Sequence, residues 1–235
     1  MLQCRVMRGA ILCMVAMIAG CSAVLGIEDL RPPTIHGTVR DMTADTVSSV
    51  SIVFRDPLGP PIGEATTDGK GRFEIPITAA LPLTGYLDLD DPNFVHTFSH
   101  LSQPVVDHND LDVEVLTLTA AGLRTLASDV HVTQDPARSL VIAQVVDAGG
   151  SALEGATVLA TGVSQICYTD PSTGSPCVNG ATDVTRGDGK AWLFDVPATL
   201  PLKITAMDAD GKPHSVMVAV GTGPSLVFTP VPPAS

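Results

Sequence analysis

One stretch of this sequence occurs twice, and a repeated stretch has to fold the same way in both places. Val39-Arg40-Asp41 with Val47-Ser48-Ser49-Val50-Ser51-Ile52 aligns with Val145-Val146-Asp147 and Leu153-Glu154-Gly155-Ala156-Thr157-Val158 at a constant offset of 106 residues. Farther on, Thr67-Asp68-Gly69-Lys70-Gly71-Arg72 aligns with Arg186-Gly187-Asp188-Gly189-Lys190 when Gly71 is placed on Gly189, where the offset has grown to 118. The second copy therefore holds 12 additional residues, and they fall around Cys167 and Cys177. A length of 235 residues suits two modules of about 80 to 100 residues better than one large domain.

The pattern inside each copy is that of half-buried strands. Val50, Ile52 and Phe54 alternate with Ser49, Ser51 and Arg55, and Phe73, Ile75 and Ile77 alternate with Arg72 and Glu74. The same rhythm returns at Leu202-Lys203-Ile204-Thr205-Ala206 and at Val216, Val218 and Val220. Alternation of this kind puts every second side chain on one face of a strand, and short strands separated by Gly, Pro and Asp clusters indicate sandwiches. Asp-Gly and Gly-Lys-Gly supply the positive φ that tight hairpins need. Between the copies, Leu123, Leu126, Ala127 and Val130 fall at helical spacing behind Thr119, a suitable N-cap, so a short helix is expected there even though Gly122 weakens it by ~1 kcal/mol.

On these residues both copies resemble the carboxypeptidase regulatory-like domain, a transthyretin-type sandwich. Its Gly-Ala-x-Val strand is matched by Gly155-Ala156-Thr157-Val158, and its Thr-x-x-x-Gly-x-Phe hairpin by Thr67-Asp68-Gly69-Lys70-Gly71-Arg72-Phe73. The first copy has Ser49-Val50-Ser51-Ile52 at the former motif, and the second has Ala191 where the phenylalanine of the latter would stand. The resemblance implies an all-β chain of two tandem Greek-key, transthyretin-like β-sandwiches, at residues 35–118 and 140–231, joined by a short helical linker at 119–139. It also implies no catalysis, because in enzymes that contain it this domain is an accessory part.

The start of the chain gives an address. Arg5 and Arg8 precede the apolar run Ala10 to Ala19, which has about half the ~20 residues needed to span a bilayer and reads as a secretory signal. Ile18-Ala19-Gly20-Cys21 resembles the lipobox of bacterial lipoproteins, which implies a cleaved lipoprotein signal peptide at 1–20, lipidation of Cys21, and a tether at 21–34 containing Pro32 and Pro33. Ser22 after the cysteine resembles the residue that releases lipoproteins to the outer membrane. Cleavage would remove two basic residues and no acidic ones, leaving 11 basic against 25 acidic residues and a net charge of −14. Such a surface repels phosphate backbones and anionic lipids, so nucleic acid is excluded as a partner and the lipid on Cys21 has to supply membrane attachment. The expected partner is an envelope or extracellular protein or a glycan. Cys4 and Cys13 leave with the signal, so Cys167 and Cys177 remain as an even pair expected to form a disulfide in an oxidising compartment.

An enzymatic site would have to lie among the histidines. His96 and His100 are four residues apart, on one face of an extended strand, and His108 with Asp107 and Asp110 follows closely. These could meet a zinc ion, but no ligand spacing here is characteristic of one, and ordinary hydrogen-bonded imidazoles are expected. Asp188-Gly189 and Asp208-Ala209-Asp210-Gly211 suggest calcium, yet an EF-hand loop counted to Gly211 would need an acid at Ala206 and a glutamate at Met217. Solvated turns are the expectation. There is no Gly-x-Ser-x-Gly, and Gly69-Lys70-Gly71 precedes a strand rather than a helix. Trp192 is expected in the core rather than as a sugar platform, with aromatics at only 4% of the chain. The reading is a non-catalytic lipid-anchored spacer or interaction protein without a cofactor. The alternatives are a carbohydrate- or peptide-binding lipoprotein using loops of the second sandwich, and, behind it, a metalloenzyme using His96, His100 and His108.

Overall fold

Alternation decides the first copy. In Ser51–Arg55, Ile52 and Phe54 are fully buried while Ser51 is exposed, and in Arg72–Pro76 the buried residues are Phe73 and Ile75. The computed structural model describes residues 32–43, 45–57, 60–106, 109–170, 176, 183–198, 201–221 and 223–234. The first copy holds β1 (Thr34–Asp41), β2 (Ser51–Arg55), β3 (Pro61–Thr66), β4 (Arg72–Pro76), β5 (Tyr86–Leu89), β6 (His96–His100) and β7 (Leu111–Thr117). The helix α1 (Ala120–Asp129) follows, and then β8 (Ser139–Val145), β9 (Thr157–Ala160), β10 (Gln165–Tyr168), β11 (Lys190–Val196), β12 (Leu202–Met207), β13 (Pro213–Val218) and β14 (Ser225–Val231). The expected class, all-β sandwiches with one short connecting helix, is the class found.

The strands form three sheets. Two have three strands, β4-β1-β7 and β13-β12-β9, and the third has eight in the order β10-β11-β8-β14-β6-β5-β2-β3. The eight-stranded sheet runs through both copies, because β14 of the second pairs in parallel with β6 of the first, Ser225 opposite His96 through Phe228 opposite Ser99. Side chains alternate across that seam. Phe98 packs with Val227 into the second copy's core, whereas Thr97 Oγ1 meets Thr117 Oγ1 of β7 at 3.0 Å. The two small sheets therefore lie on opposite faces of the shared sheet.

Each small sheet encloses a core. Ile35, Val39, Ile52, Phe54, Ile75 and Leu87 fill the first, and Val141, Val145, Leu193, Ile204, Val218 and Val227 fill the second. A third core forms where α1 lies on the second copy's half of the shared sheet, Leu123 and Ala127 meeting Leu140, Trp192, Phe194 and Leu226. That half is covered on both faces, which is why β8 reads Ser-Leu-Val-Ile-Ala-Gln-Val without alternation. The helix begins as expected, with Thr119 Oγ1 accepting from the Gly122 N–H at 3.0 Å. Beyond it, Asp195 at a bulge in β11 fastens the linker by accepting from the Asp135 N–H at 3.0 Å and from Arg138 Nη1 at 3.1 Å.

The backbone bonds of the repeated turns recur in both copies. The Val39 N–H donates to Gly71 O at 2.8 Å and the Val145 N–H to Gly189 O at 2.9 Å. Val47 bonds back to Val39 O at 3.0 Å and Leu153 to Val145 O at 2.9 Å. The Thr67 hydroxyl accepts from Val50 and the Thr185 hydroxyl from Ala156, at 3.1 and 2.9 Å. Gly71 and Gly189 both have positive φ, 72° and 67°. These pairs keep the offsets of 106 and 118 read from the sequence.

Candidate functional site

Leu87 and Leu89 of β5 point into the first core, so Asp88 between them, like Tyr86, points to the opposite face of the shared sheet. A carboxylate at such a position needs partners, and the neighbouring strands supply them. Asp88 is only 8% exposed; its Oδ2 accepts from Arg55 Nε of β2 at 2.6 Å, and its Oδ1 lies 2.6 Å from His96 Nε2 of β6. Burial pushes the Asp88 carboxyl up, but the hydrogen bonds from His96 and Arg55 and their positive charges outweigh it and hold the group below the usual aspartate value. The same hydrogen bond raises His96 against the opposing effect of its own burial. Protonated His96, Arg55 and Asp88 thus carry one net positive charge in a chain of net charge −12.

Aromatic rings border this triplet. His96 lies over Phe98 with centroids 4.2 Å apart, Tyr86 meets Phe98 edge-on at 5.8 Å, and His100 is tilted against Tyr86 at 5.3 Å. Burial alone pushes His100 down to about 4, so it is neutral over most of the pH range. Chemically, the arrangement is a carboxylate fixed between a guanidinium and an imidazole, with His96 Nε2 already committed to Asp88. It can hold the strands together and offer hydrogen-bond donors at the sheet surface.

The two strand histidines share a face as their spacing required; His96 Nε2 lies 2.6 Å from Asp88 Oδ1 and His100 is tilted against Tyr86. His108 and Asp107 lie outside the described residues. Asp110 turns elsewhere, accepting from the Thr34 N–H at 2.9 Å and facing His36 Nε2 at 3.6 Å. Among the described residues no cluster of three or more His, Cys, Asp or Glu side chains is arranged to hold a metal. Asp208 sits in a turn, its Oδ1 accepting from the N–H groups of Asp210 and Lys212 and its Oδ2 lying 3.3 Å from His214 Nε2. Trp192 is 3% exposed and donates from Nε1 to Thr169 Oγ1 at 2.9 Å, a core residue as expected. Cys167 is buried on β10, its Sγ accepting from Gln165 Nε2 at 3.2 Å. Its expected partner Cys177, the loop around it and the lipidation residue Cys21 lie outside the described residues.

Sequence reading missed Asp88 and Arg55 as members of one site. The signal was present: an acid between two leucines in a strand, within reach of an arginine ending another strand, is a paired buried charge.

No family model matches the chain, and no curated protein does. Among solved structures, the Bacillus anthracis TIE protein aligns over 86% of this chain and 34% of its own at 12% identity with a TM-score of 0.28, so the chain spans about a third of that protein's length. A type II cohesin–X-dockerin complex from Acetivibrio cellulolyticus aligns over 46% of this chain and 67% of its own at 20% identity with a TM-score of 0.29. BcpA, the major pilin subunit of Bacillus cereus, aligns over 86% of this chain and 99% of its own at 8% identity with a TM-score of 0.32. These likenesses are too distant for function to pass from those proteins to this one. Among the described residues no helix is long and apolar enough to cross a membrane.

Proposed function

We propose that this chain is a non-catalytic lipoprotein of the bacterial cell envelope, whose two carboxypeptidase regulatory-like sandwiches serve as a stiff spacer and protein-interaction body at the outer membrane. The observation that carries the reading is the β6–β14 seam. A spacer has to hold its two ends at a fixed distance, and two modules sharing an eight-stranded sheet resist the hinge motion that a plain linker would allow. The Asp88 triplet fits this role as a clamp on the seam strand β6. In the proposal residues 1–20 are removed, diacylglycerol and a further acyl chain sit on Cys21, and each buried methylene contributes ~0.8 kcal/mol to membrane attachment.

The proposal includes a disulfide between Cys167 and Cys177, closing the loop that distinguishes the second copy. Pro171, Gly174 and Pro176 in the intervening residues favour a returning chain, and a loop of this size stabilises a domain by roughly 3 kcal/mol in the chain-entropy treatment. The experiment is metabolic labelling with a fatty-acid analogue, combined with membrane fractionation and a pull-down from the native envelope. The wild-type chain should be labelled, fractionate with the outer membrane and retain a protein partner. Cys21→Ala should lose the label. Equal labelling of that variant, or an unlabelled wild type, would refute the anchor. Mass spectrometry of the non-reduced protein showing two free thiols would refute the disulfide.

A further inference from the structure

The β4-β1-β7 sheet ends on an open edge. Along β1, the Val39 N–H bonds to Gly71 O and Pro33 O accepts from Ile77, so the odd-numbered residues serve β4 and the even-numbered ones serve β7. In a parallel ladder a residue bonds to the two neighbours of the one opposite it. His36 opposite Asp112, Thr38 opposite Glu114 and Arg40 opposite Leu116 therefore engage Leu111, Val113, Val115 and Thr117. The backbone N–H and C=O groups of Asp112, Glu114 and Leu116 are left pointing away from β1, where no described strand pairs with them. In the second copy the same edge of the equivalent strand, β14, is occupied by β6.

That edge borders a groove. Leu140, Ile142 and Leu226 are buried in the core that α1 helps to form, while Phe228 beside them is only partly covered; Phe228, Leu116, Pro230, Gln144 and Lys190 line a hollow of about 250 Å³ against β7. A smaller hollow of about 160 Å³ continues it past Asp112 to Leu101, Ser102, Gln103 and Leu111. From Leu111 to Leu116 the edge is roughly 20 Å long, at about 3.3 Å per residue, and admits a strand of six residues. A strand laid there would extend the small sheet over the partly covered Phe228 and Pro230 of the large one, its inward side chains meeting those two and its outward ones flanking exposed Asp112 and Glu114.

We propose that the β7 edge accepts an extended segment of a partner protein, alternating apolar and basic residues, as a fourth strand of the β4-β1-β7 sheet. An acidic side chain selects the occupant. Glu114 Oε1 lies 3.3 Å from Arg40 Nε of β1, which leaves Asp112 to repel a second β7 edge and acidic segments in general and to favour Lys or Arg at the cross-strand position. The inference gives the interaction half of the proposed function an address and rests on that reading for its biological use; the lipid anchor is tested separately by labelling.

The probe is an end-blocked octapeptide alternating valine and lysine, titrated into the mature chain by calorimetry and followed by amide NMR. Binding should slow exchange of the Asp112, Glu114 and Leu116 amides at least tenfold. Methylating the peptide nitrogens on one alternate set should weaken binding at least tenfold, because that set faces β7. The exposed exchange Asp112→Lys, which leaves the Glu114–Arg40 pair in place, should weaken the lysine peptide severalfold and admit the matching valine–glutamate peptide. The proposal is overturned if the lysine peptide does not bind at millimolar concentration, if both methylated peptides bind as well as the parent, or if protection appears at another edge such as β9.

Discussion

The two copies share one hydrogen-bonded frame and differ in what they do with their edges. In the first, β3 pairs with β2 and lengthens the sheet that carries the Asp88 triplet; in the second, the equivalent β10 pairs with β11 on the opposite sheet. The strand that switches sides leads directly into the inserted residues of the second copy. Ladder alignment sets Asp88 on Thr205, His96 on Pro213 and His100 on Met217, so the ionic cluster belongs to the first copy alone. The two copies thus share the turns that define the sandwich and differ at the edges and outer faces, where strands are recruited. Those are the places a fused pair or a partner has to use.

The shared frame is tested most severely at its glycines. A Cβ on Gly71 would come 2.7 Å from Val39 O, and one on Gly189 would come 2.7 Å from Val145 O, at positive φ in both cases. Gly71→Ala and Gly189→Ala should each destabilise by roughly 3 to 4 kcal/mol, from the left-handed backbone and the displaced carbonyl together. Equal losses in urea unfolding would support equivalence of the copies, and a loss in only one would break it.

Acid should next separate the copies. His100 titrates near 6.5 when unfolded and about 4 when folded, so its contribution is intact above 6.5 and falls away as the pH drops toward 4, by roughly 3 kcal/mol in all. His96 runs oppositely: its raised value gives stability that is present below 6.5 and lost as the pH rises through the folded value. Asp88, held low, contributes above 3.8 and loses that contribution as the pH falls through its folded value. His100→Met, which installs the second copy's residue, should remove most of the loss between pH 6.5 and 4. An unchanged pH profile in the variant would contradict the assignment.

Smaller effects should distinguish Thr67 from Thr185. The Thr67 hydroxyl accepts from one buried N–H, whereas that of Thr185 accepts from Ala156 and also donates to Leu153 O at 2.8 Å. Thr67→Val and Thr185→Val should cost roughly 1 and 2 to 3 kcal/mol, in that order, by thermal or urea unfolding. A reversed order would mean that the second copy's turn is held by something other than this hydroxyl.

How much of this was readable in the sequence follows from what each residue faces. Strands with one open face, such as β2 and β4, announced themselves by alternation, and the change of repeat offset placed the insertion around Cys167 and Cys177. Strands buried on both faces, β8, β11 and β14, lose alternation and could be placed only through the repeat. The helix cap at Thr119 was local and came through intact, while the helix's role as the cover of a third core depends on Trp192, Phe194 and Leu226, which are distant in the chain. Even the Ala191 departure has a partner that no local reading reveals. Phe73 lies across Gly37, where a Cβ would come 2.3 Å from its ring, and the corresponding second-copy pair is Ala191 opposite Ala143. The Asp88 triplet was missed for the same reason, since its members come from three strands brought together by the fold. The seam itself leaves no mark in either copy's pattern, because strand pairing across modules uses backbone groups that every residue has.

Residues 33–235 form one compact unit, crossed by the β6–β14 pairing. Native-state hydrogen exchange across a series of sub-denaturing urea concentrations tests it most directly, comparing core amides of β2 with those of β8. If the seam couples the copies, both sets should open only in the global reaction, with the same free energy and the same urea dependence. Exchange of the β2 amides through a smaller opening, with a lower free energy and a shallower urea dependence while β8 stays protected, would contradict it.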